Sequence, residues 1–192
     1  MKYVIHRGIT NKYIKENSYC AIKRALMDVN SSGVEFDIRL TKDNVIVLSH
    51  DSIDIESSNY SDIIKKKYLS TLDVILGINT KKILLIDIKV RNNYKRFAKR
   101  IIKYLDDINN KNIYLASFNK KIIKYLKKKT NYKLGYITFK NTKNNNYFEV
   151  INFITLSKIT KINKYNEIYS SMDNKKGIIY LDSGDYIEVK EE

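Results

Sequence analysis

Four hydrophobic runs in this chain end in, or are broken by, ionisable side chains: Tyr3-Val4-Ile5-His6-Arg7-Gly8-Ile9, Glu35-Phe36-Asp37-Ile38-Arg39, Val47-Leu48-Ser49-His50-Asp51 and Leu85-Ile86-Asp87-Ile88-Lys89. Such groups cost desolvation energy at the end of an apolar strand unless something pairs with them or uses them. Glu35 and Asp37 are two residues apart, so on a strand they share a face. With Asp87 from another strand they offer oxygen ligands for a hard divalent ion, and Mg2+ or Ca2+ suits an all-oxygen set. With 1 cysteine and 2 histidines in the chain, a structural zinc site is not expected. The same residues also read as a salt-bridge network in which Arg7, Arg39 and Lys89 neutralise the acids. Residue types alone leave both readings open.

The two histidines, His6 and His50, each follow an apolar strand and stand next to a charged residue. Imidazole titrates near neutral pH, so two rings facing one phosphate can divide the proton work. One takes the proton of an attacking hydroxyl and the other returns a proton to the leaving alkoxide. A cation, together with Arg7 and Lys89, would offset charge on the nonbridging oxygens.

The elements that must position these groups follow from periodicity. Strand 3–7 precedes a polar loop, and Asn17 or Ser18 caps a helix whose face is Ala21, Ile22, Ala25 and Leu26. Val34, Phe36, Ile38 and Leu40 alternate with Glu35, Asp37 and Arg39; a turn at 41–44 and a returning arm at 45–48 make a hairpin. Residues 52–67 read as loop with a short helix, and Thr71 caps a helix using Leu72, Ile75 and Leu76. Strand 83–88, helix 93–106, strand 113–117, helix 119–129 and strand 132–138 follow. Beyond the polar tract 141–146 come strand 149–155, helix 157–171 and strand 177–181. Alternation of this kind predicts a parallel α/β sheet with right-handed crossovers, either open or closed into a barrel. A barrel gathers the C-terminal strand ends at one mouth, which suits His6, Glu35, Asp37 and Asp87. About seven main strands are expected outside the hairpin, one short of a full barrel of eight.

The 192 residues, 43% hydrophobic, fit one domain over 1–192 with one core and argue against disorder. No apolar run approaches the roughly 18 residues of a membrane span, and the strand-like start carrying His6 is unlike a discarded leader, so an intracellular, cytoplasmic protein is expected. Cys20 is read as a structural residue on the apolar face of the first helix. The net charge of +15 comes mostly from lysine, in a chain with 16 tyrosines and no proline. That bias fits an AT-rich coding sequence, and the lysines are spread along the chain. A weak contact with anionic membrane surfaces is compatible with it, and a specific nucleic-acid partner is not expected.

The motifs resemble those of the glycerophosphodiester phosphodiesterase family. The likeness runs in order over residues 3–138: His6-Arg7-Gly8, Glu16-Asn17-Ser18, Gly33-Val34-Glu35-Phe36-Asp37-Ile38, Thr41-Lys42-Asp43, His50-Asp51, Thr71-Leu72, Ile86-Asp87-Ile88-Lys89, Ala116-Ser117-Phe118 and Gly135-Tyr136. The resemblance implies a compact TIM barrel with a small insertion after the second strand. It implies that His6 and His50 are the catalytic pair, that Glu35, Asp37 and Asp87 hold one divalent cation, and that Arg7 and Lys89 contact phosphate. Glu16 and Asn17 would shape the site. The expected reaction is metal-dependent hydrolysis of a glycerophosphodiester, or a similar lipid headgroup, to glycerol 3-phosphate and an alcohol. Alternatives are a phospholipase D-like enzyme on lysophospholipids or sphingolipids, or a degenerate barrel with a binding role. The family usually carries glutamate where Asp87 stands, so this carboxylate is expected to sit about 1.5 Å further back.

Overall fold

The computed structural model describes residues 4–51, 54–106, 108, 112–138 and 148–151. Strands β1 (Val4–His6), β2 (Gly33–Leu40), β3 (Ile46–Leu48), β4 (Ile83–Ile88), β5 (Ile113–Ser117), β6 (Lys133–Thr138) and β7 (Phe148–Ile151) form one sheet. Helices α1 (Tyr19–Met27), α2 (Tyr60–Ile64), α3 (Leu72–Leu76), α4 (Tyr94–Leu105) and α5 (Lys120–Lys127) lie between them. The strand order is β1-β2-β4-β5-β6-β7, every neighbouring pair parallel, with β3 antiparallel on β2. Spatial order therefore follows chain order. Each right-handed crossover then places its helix on the same side of the sheet. A sheet wound in one direction, unlike a doubly wound one, curls around its uncovered face, as in a TIM barrel. The strands expected at 34–40, 45–48, 83–88, 113–117 and 132–138 are present within a residue or two of their bounds, and those expected at 3–7 and 149–155 are present as Val4–His6 and Phe148–Ile151, with residue 3 and residues 152–155 outside the described residues. The expected tract 141–146, helix 157–171 and strand 177–181 lie outside the described residues.

The register assigns the faces. Ile5, Val34, Phe36, Ile38, Leu84, Ile86, Leu115 and Leu134 pack outward against Ile22, Leu26, Phe97, Ile101, Ile122 and Leu126 of the helices. The concave face begins with a small apolar layer, Val4, Ile83, Leu85, Ala116 and Ile137. Gly33 belongs to this layer because β4 presses on it: a Cβ there would lie 2.2 Å from the Ile83 carbonyl oxygen. Above it, on the same face by the period of two, come His6, Glu35, Asp37 and Asp87. The pairs His6↔Glu35 and Asp37↔Asp87 are in direct register.

Helix α1 begins at Tyr19 because the Ser18 hydroxyl accepts from the Ala21 amide at 3.2 Å, so Ser18 is the cap and Asn17 is not. Its buried face is Ala21, Ile22, Ala25 and Leu26, as expected, but Cys20 is exposed. The expectation that Cys20 packs into the core is thus corrected: a residue just ahead of Ala21 and Ile22 is turned about 100° away from Ala21 on the helix. Among the described residues no helix is long and apolar enough to cross a membrane.

Candidate active site

The turn after β1 starts the site. Arg7 and Gly8 both adopt left-handed backbone, φ 54° and 84°. Gly8 has a second requirement, since a Cβ would lie 2.5 Å from the Ala21 carbonyl carbon of α1. This tight passage brings the Arg7 amide within 3.2 Å of Glu35 Oε2, which accepts its proton. It also sets Arg7 Nε 3.1 Å from Asp37 Oδ2. The Arg7 guanidinium in turn donates to both carboxylate oxygens of Glu16, at 3.0 and 3.1 Å. Asn17, left-handed at φ 53°, is tied back by its amide to the Arg7 carbonyl at 3.0 Å. Its side chain closes a two-way clamp on Asp37: Nδ2 donates to Oδ2 at 2.8 Å, and Oδ1 accepts from the Asp37 amide at 2.9 Å.

Glu35, Asp37 and Asp87 are 1%, 1% and 2% exposed, and one carboxylate oxygen from each lies within 4.8 Å of the others. Lys89, next on the concave face of β4, bridges Asp37 Oδ1 at 3.1 Å and Asp87 Oδ2 at 2.5 Å. Burial would raise Asp37, but Lys89, Arg7 and the Asn17 bond outweigh it and hold it below its ordinary value. Burial wins at the other two. It pushes Asp87 up to about 7, helped by the charge of Asp37 and opposed by Lys89. It also drives Glu35 well above the carboxylate range, with Asp37 and Asp87 adding to the effect. Glu35 Oε1 and Asp87 Oδ1 are buried with no hydrogen-bond partner among the described residues. Two cationic side chains thus face three carboxylates, two of which keep a buried oxygen without a hydrogen-bond partner. A divalent cation fits this donor set: it would satisfy both orphaned oxygens and favour the ionised forms. The shorter Asp87 still reaches the group, because its register opposite Asp37 places it there.

His6 Nε2 lies 3.7 Å from Glu35 Oε2. His50 reaches the site by a different route. The β2–β3 hairpin carries the chain past Asp37 and back, so that the Ser49 amide donates to the Asp37 carbonyl at 3.1 Å. The His50 carbonyl then accepts from Arg39 Nε at 3.0 Å and Nη2 at 2.6 Å, while its ring Nδ1 lies 3.2 Å from Asp51 Oδ1. Contacts therefore join His6, Arg7, Glu16, Asn17, Glu35, Asp37, Asp87 and Lys89 into one network, and His50 is joined to its edge through backbone.

Arg39, which one of the two readings of the sequence placed among the cations neutralising Glu35, Asp37 and Asp87, has a different task. It grips His50 and reaches Glu56 Oε1 at 3.5 Å, and Glu56 also accepts from the amides of Arg91 and Asn92 at 3.2 and 3.4 Å. This strap binds the insertion to the loop after β4. Its signal in the sequence was the parity of Arg39 with Glu35 and Asp37; Glu56 gave none. Phe118, 45% exposed, stands at the rim with its ring 5.6 Å from Lys89 Nζ.

The sequence profile of the glycerophosphoryl diester phosphodiesterase family matches residues 6–62, the stretch carrying both histidines, Glu35, Asp37, Arg39 and Glu56. Over that stretch the chain is similar to this family. A glycerophosphodiester phosphodiesterase of Caldanaerobacter subterraneus is 25% identical over 150 residues, which cover 65% of this chain. The match spans 61% of that relative's length. The crystal structure of a glycerophosphodiester phosphodiesterase from Thermotoga maritima is similar with a TM-score of 0.66 at 22% identity, covering 93% of each chain. A phosphodiesterase of Oleispira antarctica, solved with sn-glycerol-3-phosphate, gives 0.69 at 12% identity, covering 94% of this chain and 92% of its own. These likenesses show that the sheet described above has a fold of the TIM-barrel type.

Proposed function

We propose that the chain hydrolyses a glycerophosphodiester to glycerol 3-phosphate and an alcohol, using His6 and His50 as acid and base and one divalent cation, Mg2+ or Ca2+, held by Glu35, Asp37 and Asp87. The observation that carries this reading is the trio of buried acids, two of them with an orphaned oxygen, packed between His6, Arg7 and Lys89. The product found in the Oleispira antarctica structure supports the substrate class.

When bound, the cation supplies Lewis-acid stabilisation of charge on a phosphoryl oxygen. Arg7 is pinned by Glu16 and Asp37, so its guanidinium meets the phosphate pre-oriented. Asn17 fixes the rotamer of Asp37. One histidine removes the proton from glycerol's neighbouring hydroxyl as that oxygen bonds to phosphorus, and the other protonates the departing alkoxide. Water then opens the cyclic phosphate with the roles reversed.

The test is turnover of several glycerophosphodiesters, and of a lysophospholipid, with Mg2+, Ca2+ or EDTA. Chelation is expected to abolish turnover, and His6→Ala or His50→Ala to lower kcat by about 10²–10⁴ with the thermal midpoint kept. Equal rates in wild type, both variants and EDTA would overturn the proposal.

A further inference from the structure

The charge that looks scattered in sequence is gathered by the fold. Residues 94–105 and 120–129, which are α4 and α5 with the two residues after it, contain eleven of the chain's 36 cations and none of its 21 acids. The rest of the chain carries 25 against 21. Because β4, β5 and β6 are consecutive neighbours, α4 and α5 lie side by side, and Tyr94 meets Tyr125 edge to face across them at 6.4 Å. Phe97, Ile101 and Leu105 of one helix and Ile122, Ile123 and Leu126 of the other fill the inward faces. Lys95, Lys99 and Lys103, four apart, and Lys120, Lys124 and Lys127 are left exposed on the outward faces. Among the described residues no acid pairs with Lys95, Lys99, Lys103 or Lys124.

We propose that this α4–α5 face docks the protein on an anionic lipid bilayer. The chemistry of the face selects that occupant. Nine of the eleven cations are lysines, point charges suited to a diffuse anionic sheet. The two arginines are already engaged: Arg96 donates to the Thr41 and Lys42 carbonyls at 2.9 and 2.6 Å, and Arg100 to the Asn44 carbonyl at 2.8 Å. No guanidinium fork is left for a base edge. The tyrosines that could stack bases are spent as well, Tyr94 on Tyr125 and Tyr104 under Arg100 at 4.7 Å. Two helices side by side make a broad face, and its near end adjoins the rim: exposed Phe118 comes just before the α5 cap, beside Lys89. The bilayer would therefore carry phosphodiester chemistry to the open edge of the site. Docking itself does not depend on turnover.

The experiment is co-sedimentation of the full chain with vesicles of phosphatidylcholine alone or mixed with phosphatidylglycerol, at low and high salt. Binding is expected only to the mixed vesicles, and is expected to weaken as salt rises. Each cation near the surface is worth about five-fold in affinity, so Lys95→Glu/Lys99→Glu/Lys124→Glu is expected to lose well over ten-fold. Lys23→Glu/Lys66→Glu/Lys81→Glu, with the same charge change elsewhere, is expected to lose far less. Equal binding to both vesicle types, salt-independent binding by wild type, or equal losses in the two variants would overturn the proposal. Tighter binding to duplex DNA, lost in the first variant, would assign the face to nucleic acid instead.

Discussion

Lys89 sits where two opposing demands meet. Its ammonium satisfies Asp37 and Asp87 together, and in the proposed function it also meets the substrate phosphate. Removing it strands two buried carboxylates, a loss of about 3–5 kcal/mol when one partner of a buried pair is deleted. Lys89→Met is therefore expected to melt well below wild type in EDTA, and to recover part of the loss in Mg2+ or Ca2+ as scanning calorimetry would register. The raised carboxyls give a pH dependence whose sign is set. Asp87, at about 7, and Glu35, higher than usual, keep protons in the folded chain that the unfolded chain has already released. Their contribution to the stability of the cation-free protein is complete below the ordinary carboxylate range and is lost as pH rises through about 7. A thermal midpoint in EDTA should fall over that interval, and added divalent cation should raise it most at the upper end; a flat profile would contradict the assignment. The period of two made the shared face of Glu35 and Asp37 legible in sequence. The clamp of Asn17 was not, because a helix start offers the same residue a capping role and only the backbone shows that Ser18 took it.

At the scale of elements, the β2–β3 hairpin is what supplies the second histidine. It was legible as two apolar arms around a turn, but its purpose depended on a register no single sequence displays. Arg39 holds the hairpin's far end by the His50 carbonyl. Arg39→Ala is expected to lower kcat ten-fold or more with a smaller change in KM, since in the proposed mechanism the ring it steadies acts in the chemical step. Cation affinity, measured by calorimetry, should stay near that of wild type. Gly33 and Gly8 show why two glycines stand beside two motifs: one lets β4 close on β2, the other lets α1 close on the first turn. Gly33→Ala forces a methyl against the Ile83 backbone and is expected to cost about 3 kcal/mol, the upper part of the overpacking range, in denaturant melts. Cys20 marks a limit of reading helices by residue type, since its sulfur suggested the core while its position pointed outward.

For the whole molecule, that the described strands follow chain order is read from their pairing; alternation was enough to anticipate a parallel α/β sheet with right-handed crossovers, because each crossover length and each apolar strand is written locally. Charge distribution was not, because adjacency of α4 and α5 follows from strand order and not from spacing along the chain. Phe36 of β2, fully buried in the core between sheet and helices, tests the shared core: Phe36→Ala is expected to cost about 3–5 kcal/mol, measured in the same denaturant melts.

Every side chain assigned to the reaction lies between His6 and Lys89, while β5, β6 and β7 back the concave face without contributing a reacting group. Mutational drift should therefore be unevenly tolerated. In a saturation library selected for turnover, positions in β5, β6 and β7 should accept most exchanges that preserve bulk and solubility, and the stretch from His6 to Lys89 should accept few even where they leave folding untouched. On the proposed function, β5, β6 and β7 would thus be the part of the chain where descendants diverge fastest with that chemistry unchanged.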